Sequence, residues 1–292
     1  MTTATLVHVV VSGLATGSIY ALMALSLVII YNATRTLNFA QGEMLMVSTF
    51  IGWAAHRVFG LPLLLTLVVA VVAAGLMAWL LERIVIRRSI GATHWDVLII
   101  TLGLSLVLRA AAGVVWTHDE FPFPSFFGTQ PIALGAVRLT PVSVGIIAAS
   151  LALMAGLYAL FTWTRLGRAM RAVAQNQRAA RLMGISVERV YSRAWVLAAM
   201  VGAVAGVLVA PVIFLSSKMG LIVINGFTAA VIGGFGSMPG AVVGGMLLGV
   251  IENLAPLYLP SGIRYSVPFL VLIAILLVRP AGLLGRVEQR KV

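Results

Sequence analysis

The stretch that decides the fold is LPLLLTLVVAVVAAGLMAWLL, residues 61–81, which contains no charged side chain. About 20 consecutive apolar residues form a helix long enough to cross a hydrocarbon layer of roughly 30 Å. Similar runs occupy residues 7–31, 97–116, 141–163 and 265–278. With 61% hydrophobic and 10% charged residues, the chain has too little polar surface to cover a water-soluble globule. The sequence therefore predicts a membrane protein.

The apolar runs predict helices, because only helices and closed barrels satisfy every backbone hydrogen bond in lipid. None of the runs shows the ten-residue alternation of a barrel strand. We therefore predict an all-α, polytopic membrane helix bundle of eight to nine spans, forming a single transmembrane domain over residues 1–292. The predicted spans are 7–30, 42–59, 61–81, 96–116, 141–163, 194–215, 221–235, 240–257 and 264–279.

Two segments between the spans contain residues that interrupt helices. Residues 31–41 are short and polar, which predicts a break there, and residues 221–240 are rich in glycine and contain a proline. The span count falls from nine to eight if 221–240 is re-entrant. Residues 117–140, which contain prolines and phenylalanines, predict an irregular cap that is either a plain connector or a docking surface for an external partner.

The basic residues are divided unequally between alternate connections, with fifteen on one side and four on the other. Cytoplasmic loops carry the excess of arginine and lysine, so the N-terminus is predicted outside and the C-terminus in the cytoplasm. The net charge of +12 lies in loops without neighbouring aromatic platforms, which argues against a nucleic-acid partner. The absence of cysteine excludes a thiolate metal site.

The most arginine-rich connection is TRLGRAMRAVAQNQRAARLMGISVERVYSRAW, residues 164–195, with seven arginines and one glutamate. Asn176 can cap a short helix over residues 177–183, and Gly184 is the residue type that ends a helix in the left-handed conformation. Ser186 can then cap the following helix. A seven-residue helix is unstable alone in water, so we expect it to be held by packing against something else.

The pattern Ala179-Ala180-x-x-x-Gly184-Ile185 resembles the Glu-Ala-Ala-x-x-x-Gly loop of ABC-importer permeases, whose short helix couples the permease to the ATP-hydrolysing subunit. By this resemblance the helix at 177–183 is a cytoplasmic coupling helix. The residues implied in coupling are Arg178, Ala179, Ala180, Arg181, Met183 and Gly184. Arg178 replaces the acidic residue of the family pattern. The alternative is a surface helix in an ordinary positively charged loop.

Two longer stretches, residues 12–50 and 226–254, resemble the N-terminal and C-terminal signatures of the LivH-type permeases of branched-chain amino acid ABC importers. The resemblance implies a permease subunit in the plasma membrane of a prokaryote. It implies four kinds of partner: the lipid membrane, a second permease of the LivM type, two ATP-binding subunits and an extracytoplasmic solute-binding protein. The family also includes permeases for amides, urea and other small acids, so the solute remains open.

Nucleotide binding by this chain is not expected. A phosphate-binding loop needs G-x-x-x-x-G-K-[ST], and neither lysine, Lys218 nor Lys291, has that setting. We therefore expect no bound cofactor here, with ATP and magnesium on the partner subunits, and no enzymatic activity of the chain itself. An ion-coupled secondary transporter is the rival, although it predicts more buried carboxylates than the sequence offers. An intramembrane enzyme is disfavoured because paired Ser/His and HExxH motifs are missing.

Polar side chains within spans are expensive in lipid and are therefore candidates for the translocation pathway. The candidates are Asn38, Gln41, Glu43, Arg109, Glu252 and Asn253. Each has an ordinary alternative. Asn38 can be an N-cap, Gln41 a hydrogen bonder between helices, and Glu43 a carboxylate at the positive end of the helix dipole. Structural hydrogen bonding is the alternative for Glu252 and Asn253, and Arg109 can extend towards the outer surface.

Several glycines occur four residues apart, which permits close helix packing in membranes. The pairs are Gly13 with Gly17, Gly202 with Gly206, and Gly245 with Gly249, and a triplet joins Gly236, Gly240 and Gly244. These spacings support a tight bundle.

Overall fold

A computed structural model describes residues 3–89, 94–128, 130–134, 137–260 and 266–285. Within them the chain forms α1 Thr3–Thr34, α2 Gln41–Phe59, α3 Leu63–Ile84, α4 His94–Trp116, α5 Pro141–Trp163, α6 Arg165–Gln175, α7 Gln177–Leu182, α8 Val187–Ile213, α9 Ile222–Gly233, α10 Met238–Leu254 and α11 Val267–Val278. Short 3₁₀ turns cover Ile86–Ser89, Met219–Leu221 and Ala255–Leu257. The fold is therefore helical, as predicted.

Six of the described helices are long and apolar enough to cross a membrane. They contain the segments Thr5–Thr34, Leu63–Arg88, Trp95–Trp116, Pro141–Trp163, Val187–Ile213 and Met238–Leu257. A helix also lies at each remaining predicted span, but α9 and α11 have 12 residues each. At 1.5 Å per residue each is about 18 Å long, shorter than the hydrocarbon layer. The finer count of eight to nine spans stays a prediction.

The orientation also stays a prediction. Several residues that support it lie outside the described residues, namely Arg264 and the C-terminal basic residues of 286–292, as does the start of the predicted span 264–279.

The predicted irregular segments are mostly confirmed. The chain leaves the helical conformation between α1 and α2, over residues 35–40. The described residues of the segment 117–140 are irregular, except for the paired strands β1 Ile132–Leu134 and β2 Val137–Leu139, in which Ile132 pairs with Leu139.

The chain divides into two compact units. Unit 1 comprises Met1–Val28, Ser125–Ala152 and Ile224–Val292, and unit 2 comprises Ile29–Pro124 and Leu153–Val223. Helices α1 and α5 each contribute residues to both units. The prediction of a single transmembrane domain is not tested by this division, since each unit is a set of helices rather than a separate stretch of chain.

In unit 1, α1 packs against α10 through glycines on both helices. A Cβ atom added to Gly17 would lie 2.8 Å from the carbonyl oxygen of Gly245, and one added to Gly13 would lie 2.8 Å from the Cα atom of Val250. A Cβ atom on Gly249 would overlap the backbone of Gly17. The predicted small-residue spacings therefore bring two helix backbones into direct contact.

In unit 2, α2, α3 and α8 pack against one another, again through small residues. Gly206 of α8 faces Leu45 of α2, and a Cβ atom on Gly52 of α2 would lie 3.0 Å from the Cβ atom of Ala70 in α3. Gly75 of α3 in turn faces Met200 of α8. The outward faces of α3, α4 and α5 expose large apolar side chains, as expected for surfaces that contact lipid.

We predict that Gly249→Ala lowers the stability of the purified protein by about 1–3 kcal/mol, because the added methyl group overlaps the backbone of α1 and the helices must separate. The midpoint of thermal unfolding in detergent measures the effect. Gly103→Ala is the control, since no described atom lies within 4 Å of its added Cβ atom. Alanine there should be neutral or stabilising within the helix. An equal loss of stability in both variants would contradict the packing role.

Candidate functional site

A polar cluster lies in unit 2 where the chain enters α2. The break begins at Arg35, which has a φ of 58°. Asn38 follows in a turn: its Oδ1 accepts a hydrogen bond from the backbone N–H of Ala40 at 3.1 Å, and its Nδ2 donates to Oε1 of Gln41 at 3.2 Å. The N-cap position of α2 is occupied by Ala40, so the interpretation of Asn38 as the N-cap is wrong. Asn38 stabilises the turn that precedes the helix instead.

Gln41 joins α2 to α8. Its Nε2 donates to the backbone carbonyl of Ala198 at 2.9 Å, and a Cβ atom on Gly202 would lie 2.8 Å from the same nitrogen. The absence of a side chain at Gly202 thus makes room for the amide. This confirms the alternative of a hydrogen bond between helices.

Glu43, in the first turn of α2, forms an ion pair with Arg109 of α4. Nε of Arg109 donates to Oε1 of Glu43 at 3.0 Å, and Nη2 donates to the same oxygen. The side chain of Glu43 is 2% exposed and that of Arg109 is 37% exposed. The expectation that Arg109 extends to the outer surface is therefore wrong, because the buried carboxylate holds the guanidinium. The pairing joins residues 66 positions apart, and no local pattern could predict it.

Gly220, in the turn Met219–Leu221, covers the carboxylate of Glu43. A Cβ atom on Gly220 would lie 2.7 Å from Oε1, and one on Gly42 would overlap the carbonyl oxygen of Gly220. Among the described residues, no donor contacts the buried Oε2 atom of Glu43. A carboxylate with one such oxygen, beside a partly exposed guanidinium, can accept a further hydrogen bond from an ammonium or amide group.

Thr101 of α4 completes the cluster and was not singled out in the sequence. Its Oγ1 accepts a hydrogen bond from the backbone N–H of Phe39 at 3.3 Å and donates to the carbonyl of Leu98 at 3.0 Å. The sequence signal was weak: one hydroxyl in an apolar run. Thr101 fixes the break between α1 and α2 against α4.

The other two candidates lie in unit 1, on α10. The hydroxyl of Tyr20 donates to Oε2 of Glu252 at 2.7 Å, and Nδ2 of Asn253 donates to the carbonyl of Gly249 in its own helix at 2.9 Å. Glu252 is 8% exposed. The structural alternative for Glu252, a hydrogen-bond acceptor inside the bundle, is confirmed.

The arginine-rich loop contains α7, as predicted, with one boundary correction: the helix ends at Leu182, and Met183 is its C-cap. The side chain of Asn176 accepts a hydrogen bond from the N–H of Ala179 at 3.0 Å. Gly184 has a φ of +79°. The N–H of Gly184 donates to the carbonyl of Arg181, and the N–H of Ile185 donates to the carbonyl of Ala180, which is the Schellman motif.

The prediction that the Ser186 side chain caps α8 is wrong. Ser186 occupies the N-cap position, but its side chain makes no capping hydrogen bond and instead contacts Glu188 at 3.5 Å.

The surface of α7 exposes apolar side chains. Leu182 is 89% exposed and Met183 is 81% exposed, whereas Ala180 is buried. Arg181 pairs with Glu188 at 3.0 Å in an exposed position. Arg178 and Ala179 are exposed as well. A short helix with defined ends that presents Leu182 and Met183 to its surroundings has the form of a docking element.

Helix α6 was missed by the sequence reasoning, which placed one helix in this connection. The side chain of Thr164 accepts from the N–H of Gly167 at 3.1 Å and caps α6. The signal was a Thr followed by apolar positions at helical spacing, of which Met170 and Val173 are buried. Near its C-terminal end, the carbonyl of Ala174 accepts a hydrogen bond from Arg35 at 3.2 Å, so α6 contacts the break that precedes α2.

No metal site is evident in the described part of the chain, where no group of three or more His, Asp or Glu side chains is placed to hold an ion.

Comparison with solved structures supports the fold. The chain superposes on PsaBC from Streptococcus pneumoniae, in its complex with Fab, with a TM-score of 0.51 over 91% of this chain and 89% of that chain. The two share 16% sequence identity, so the likeness concerns the fold.

Sequence comparison is more specific. LivH of Escherichia coli strain K12, a high-affinity branched-chain amino acid transport system permease protein, is 34% identical over 296 residues, covering 96% of both chains. BraD of Pseudomonas aeruginosa, described in the same words, is 31% identical over 298 residues, covering 97% of this chain and 96% of its own. The LivH protein of Methanocaldococcus jannaschii is 31% identical.

The family described as branched-chain amino acid transport system / permease component matches residues 9–276. Together with six apolar helices of spanning length, this makes the chain a multi-pass integral protein of the plasma membrane. Because the match and the similarity to LivH and BraD extend over nearly the whole sequence, the chain belongs to the family of permease components of branched-chain amino acid transport systems.

Proposed function

We propose that this chain is a permease subunit of an ABC importer that carries branched-chain amino acids across the plasma membrane. The observation that supports coupling to a motor protein is the geometry of α7. It is a helix of six residues, capped by Asn176 and ended by Gly184, that leaves Leu182 and Met183 exposed. A helix this short is unstable in isolation, and its apolar tip favours a protein partner over water.

The proposed partners follow from the family. A second permease of the LivM type would complete the pathway, two ATP-binding subunits would supply energy, and an extracytoplasmic solute-binding protein would deliver the amino acid. In this arrangement the chain is not itself an enzyme, and ATP with magnesium is bound by the partner subunits. Leu182 and Met183 would enter an apolar cleft of one ATP-binding subunit, with Arg178 and Arg181 meeting acidic groups at its rim.

Movement of α7 has a direct route to the polar cluster. Helices α6 and α7 share the junction at Asn176, and the carbonyl of Ala174 in α6 is bonded to Arg35. Arg35 begins the break that leads to Asn38 and α2. A displacement of α7 by the ATP-binding subunit would therefore reach the start of α2 through consecutive contacts within unit 2, and rigid-body motion of packed helices is a common form of switching.

We assign the translocation pathway to the polar cluster at the start of α2, with Asn38, Gln41, Glu43 and Arg109 as its residues in unit 2. A zwitterionic amino acid carries two groups that this pair of charges can bind: a carboxylate for the partly exposed guanidinium of Arg109 and, once the turn at Gly220 moves off the carboxylate, an ammonium for Glu43. Glu252 and Asn253 are the corresponding candidates in unit 1, although their present hydrogen bonds are structural.

The function is tested by reconstituting the chain into proteoliposomes with a second permease, ATP-binding subunits and a solute-binding protein from the same organism. Uptake of leucine, isoleucine or valine should require both ATP and the solute-binding protein. Uptake of an amide or urea in place of these amino acids would assign the chain to a permease with a different solute. Uptake by the chain alone, driven by an ion gradient and indifferent to ATP, would contradict the proposal.

Leu182→Asp should weaken association with the ATP-binding subunit about 30-fold or more, because an exposed apolar residue that becomes buried at an interface typically contributes about 2 kcal/mol when it is a hot spot. The variant should still fold, since Leu182 is 89% exposed and makes little contact with the rest of the chain. Co-purification and solute-stimulated ATPase activity measure the loss.

Leu182→Met is the matched control for Leu182→Asp, since it keeps an apolar side chain at the same exposed position. It should leave association unchanged. Normal stimulated ATPase activity in Leu182→Asp would argue strongly against the coupling role of α7.

A double-mutant cycle at Glu43 and Arg109 separates structural from transport roles. Arg109→Gln alone leaves a buried, unpaired carboxylate and should destabilise the protein by about 3–5 kcal/mol. Glu43→Gln with Arg109→Gln removes both charges, so the double variant should recover folded yield, measured by size-exclusion chromatography. Uptake of leucine should stay lost in the double variant. Recovery of both yield and uptake would show that the pair is structural and would remove it from the pathway.

A further inference from the structure

A cavity of about 470 Å³ lies within unit 2 where the end of α3 meets the starts of α6 and α8, away from the polar cluster of α2. Part of its lining is basic and consists of Arg87, Arg189 and Arg193. Another part, further along α8, is apolar and includes Val196, Leu197 and Met200. The cavity thus presents a charged end and an apolar end along the same helix.

The basic end has an excess of positive charge. Arg87 is paired with Glu82, through Nε at 3.2 Å and Nη2 at 3.0 Å. Arg189 and Arg193 are four residues apart on α8 and therefore share a face. Among the described residues, neither guanidinium group has a hydrogen-bond or ion-pair partner. Three guanidinium groups against one carboxylate leave a site suited to an anion, and guanidinium groups bind phosphate through paired hydrogen bonds.

The apolar end continues onto a surface that faces lipid. Gly75 of α3 allows Val196 and Met200 to approach, with a Cβ atom at Gly75 lying 3.5 Å from a carbon of each. Beside it, Val72, Leu76 and Leu80 form an exposed stripe along α3. A free phosphate ion would leave this apolar wall unused, whereas an acyl chain would cover it.

Trp79 of α3 also lines the cavity. The guanidinium carbon of Arg83 lies 5.3 Å from its ring centroid, within the range of a cation–π interaction. Tryptophan is enriched where lipid headgroups meet acyl chains. The indole of Trp79 thus marks the depth at which a headgroup would end and a chain begin.

We propose that this cavity is a binding site for an anionic glycerophospholipid. The phosphodiester group contacts Arg189 and Arg193, and one acyl chain runs along Met200 and the exposed stripe of α3. The charge selects anionic over zwitterionic headgroups, and the apolar wall selects a lipid over a soluble phosphate. The bound lipid fills the space between α3 and α8 beside α6. This site is independent of the transported solute.

The test uses the assembled transporter in a neutral detergent, with phosphatidylglycerol added to it. Native mass spectrometry should detect bound lipid, and the midpoint of thermal unfolding should rise with phosphatidylglycerol more than with phosphatidylcholine. Arg189→Gln and Arg193→Gln should each weaken binding about fivefold, since one arginine near an anionic lipid contributes about 1 kcal/mol. Arg168→Gln is the charge-matched control: Arg168 is exposed on α6 and does not line the cavity.

Three results would overturn the proposal. Equal binding of phosphatidylcholine and phosphatidylglycerol would remove the role of the arginines. An equal rise in the midpoint of thermal unfolding with inorganic phosphate and with phosphatidylglycerol would show an anion site that does not need a lipid. Loss of subunit association in Arg189→Gln and Arg193→Gln, with no lipid detected in the parent, would assign the arginines to an acidic face of a protein partner. Arg193→Lys, which keeps the charge, should retain part of the affinity and shows that a loss in Arg193→Gln is not caused by misfolding.

Discussion

Close backbone contact between helices is the constraint on which this structure depends. Lipid solvates apolar side chains as well as a neighbouring helix does, so helices in a membrane need van der Waals contact at small residues to stay together. Gly17 against Gly249 provides this contact in unit 1. Gly42 against Gly220 provides it in unit 2, and there it has a chemical consequence, because the same approach covers the carboxylate of Glu43.

The lipid environment also explains where the charged side chains lie. A buried carboxylate is tolerated when it has a partner, and each buried glutamate of the described residues has one: Glu43 has Arg109, Glu82 has Arg87, and Glu252 has Tyr20. The exposed pair of Arg181 and Glu188 is different in kind. Such pairs contribute about 0–1 kcal/mol, so Arg181 can exchange Glu188 for an acidic group of a partner at little cost. The contacts of Glu43 with Arg109 and of Glu252 with Tyr20 each join two helices, whereas the exposed pair leaves α7 free to dock.

Sequence reasoning predicted features that depend on neighbours along the chain. The apolar runs located the helices, and the spacing of Asn176 and Gly184 located α7, because a cap and a left-handed terminus act within one turn. Sequence reasoning failed where the contact that fixes a side chain is made with a residue far away in the chain. The partner of Arg109 is 66 residues away, so the sequence could name Arg109 as a pathway candidate or as a side chain extending to the surface, but not its ion pair with Glu43. The hydroxyl of Ser186 was assigned a cap that its contact with Glu188 replaces.

Hydropathy overestimated the lengths of two helices, although the glycines and the proline of residues 221–240 indicated a break there. The pattern of α9 and α11 reads as two spans, yet each helix has 12 residues. The sequence GGFGSMPG ends α9 at a point that hydropathy does not register, because glycine is neither strongly polar nor apolar. Helix α6 was missed for the opposite reason: its many arginines obscured the apolar positions that pack it.

The caps of α7 bear on how a force could be transmitted from it. A loop that frays at its ends absorbs displacement, whereas α7 has a side-chain cap at Asn176 and a Schellman motif at Gly184. Movement of such an element is passed on to its neighbours. Along the path from α6, the first break in the helices is the non-helical segment 35–40, which begins at Arg35 with a left-handed φ of 58°. A non-glycine residue in that conformation stores about 1 kcal/mol or more of strain, so the break before α2 is where a displacement changes backbone angles most readily. The residues that follow are Asn38, Gln41 and Glu43, and coupling to them requires an element that can adopt two arrangements. Under the proposal that α7 docks on an ATP-binding subunit, a stiff element joined to a strained one would direct motion to the polar cluster.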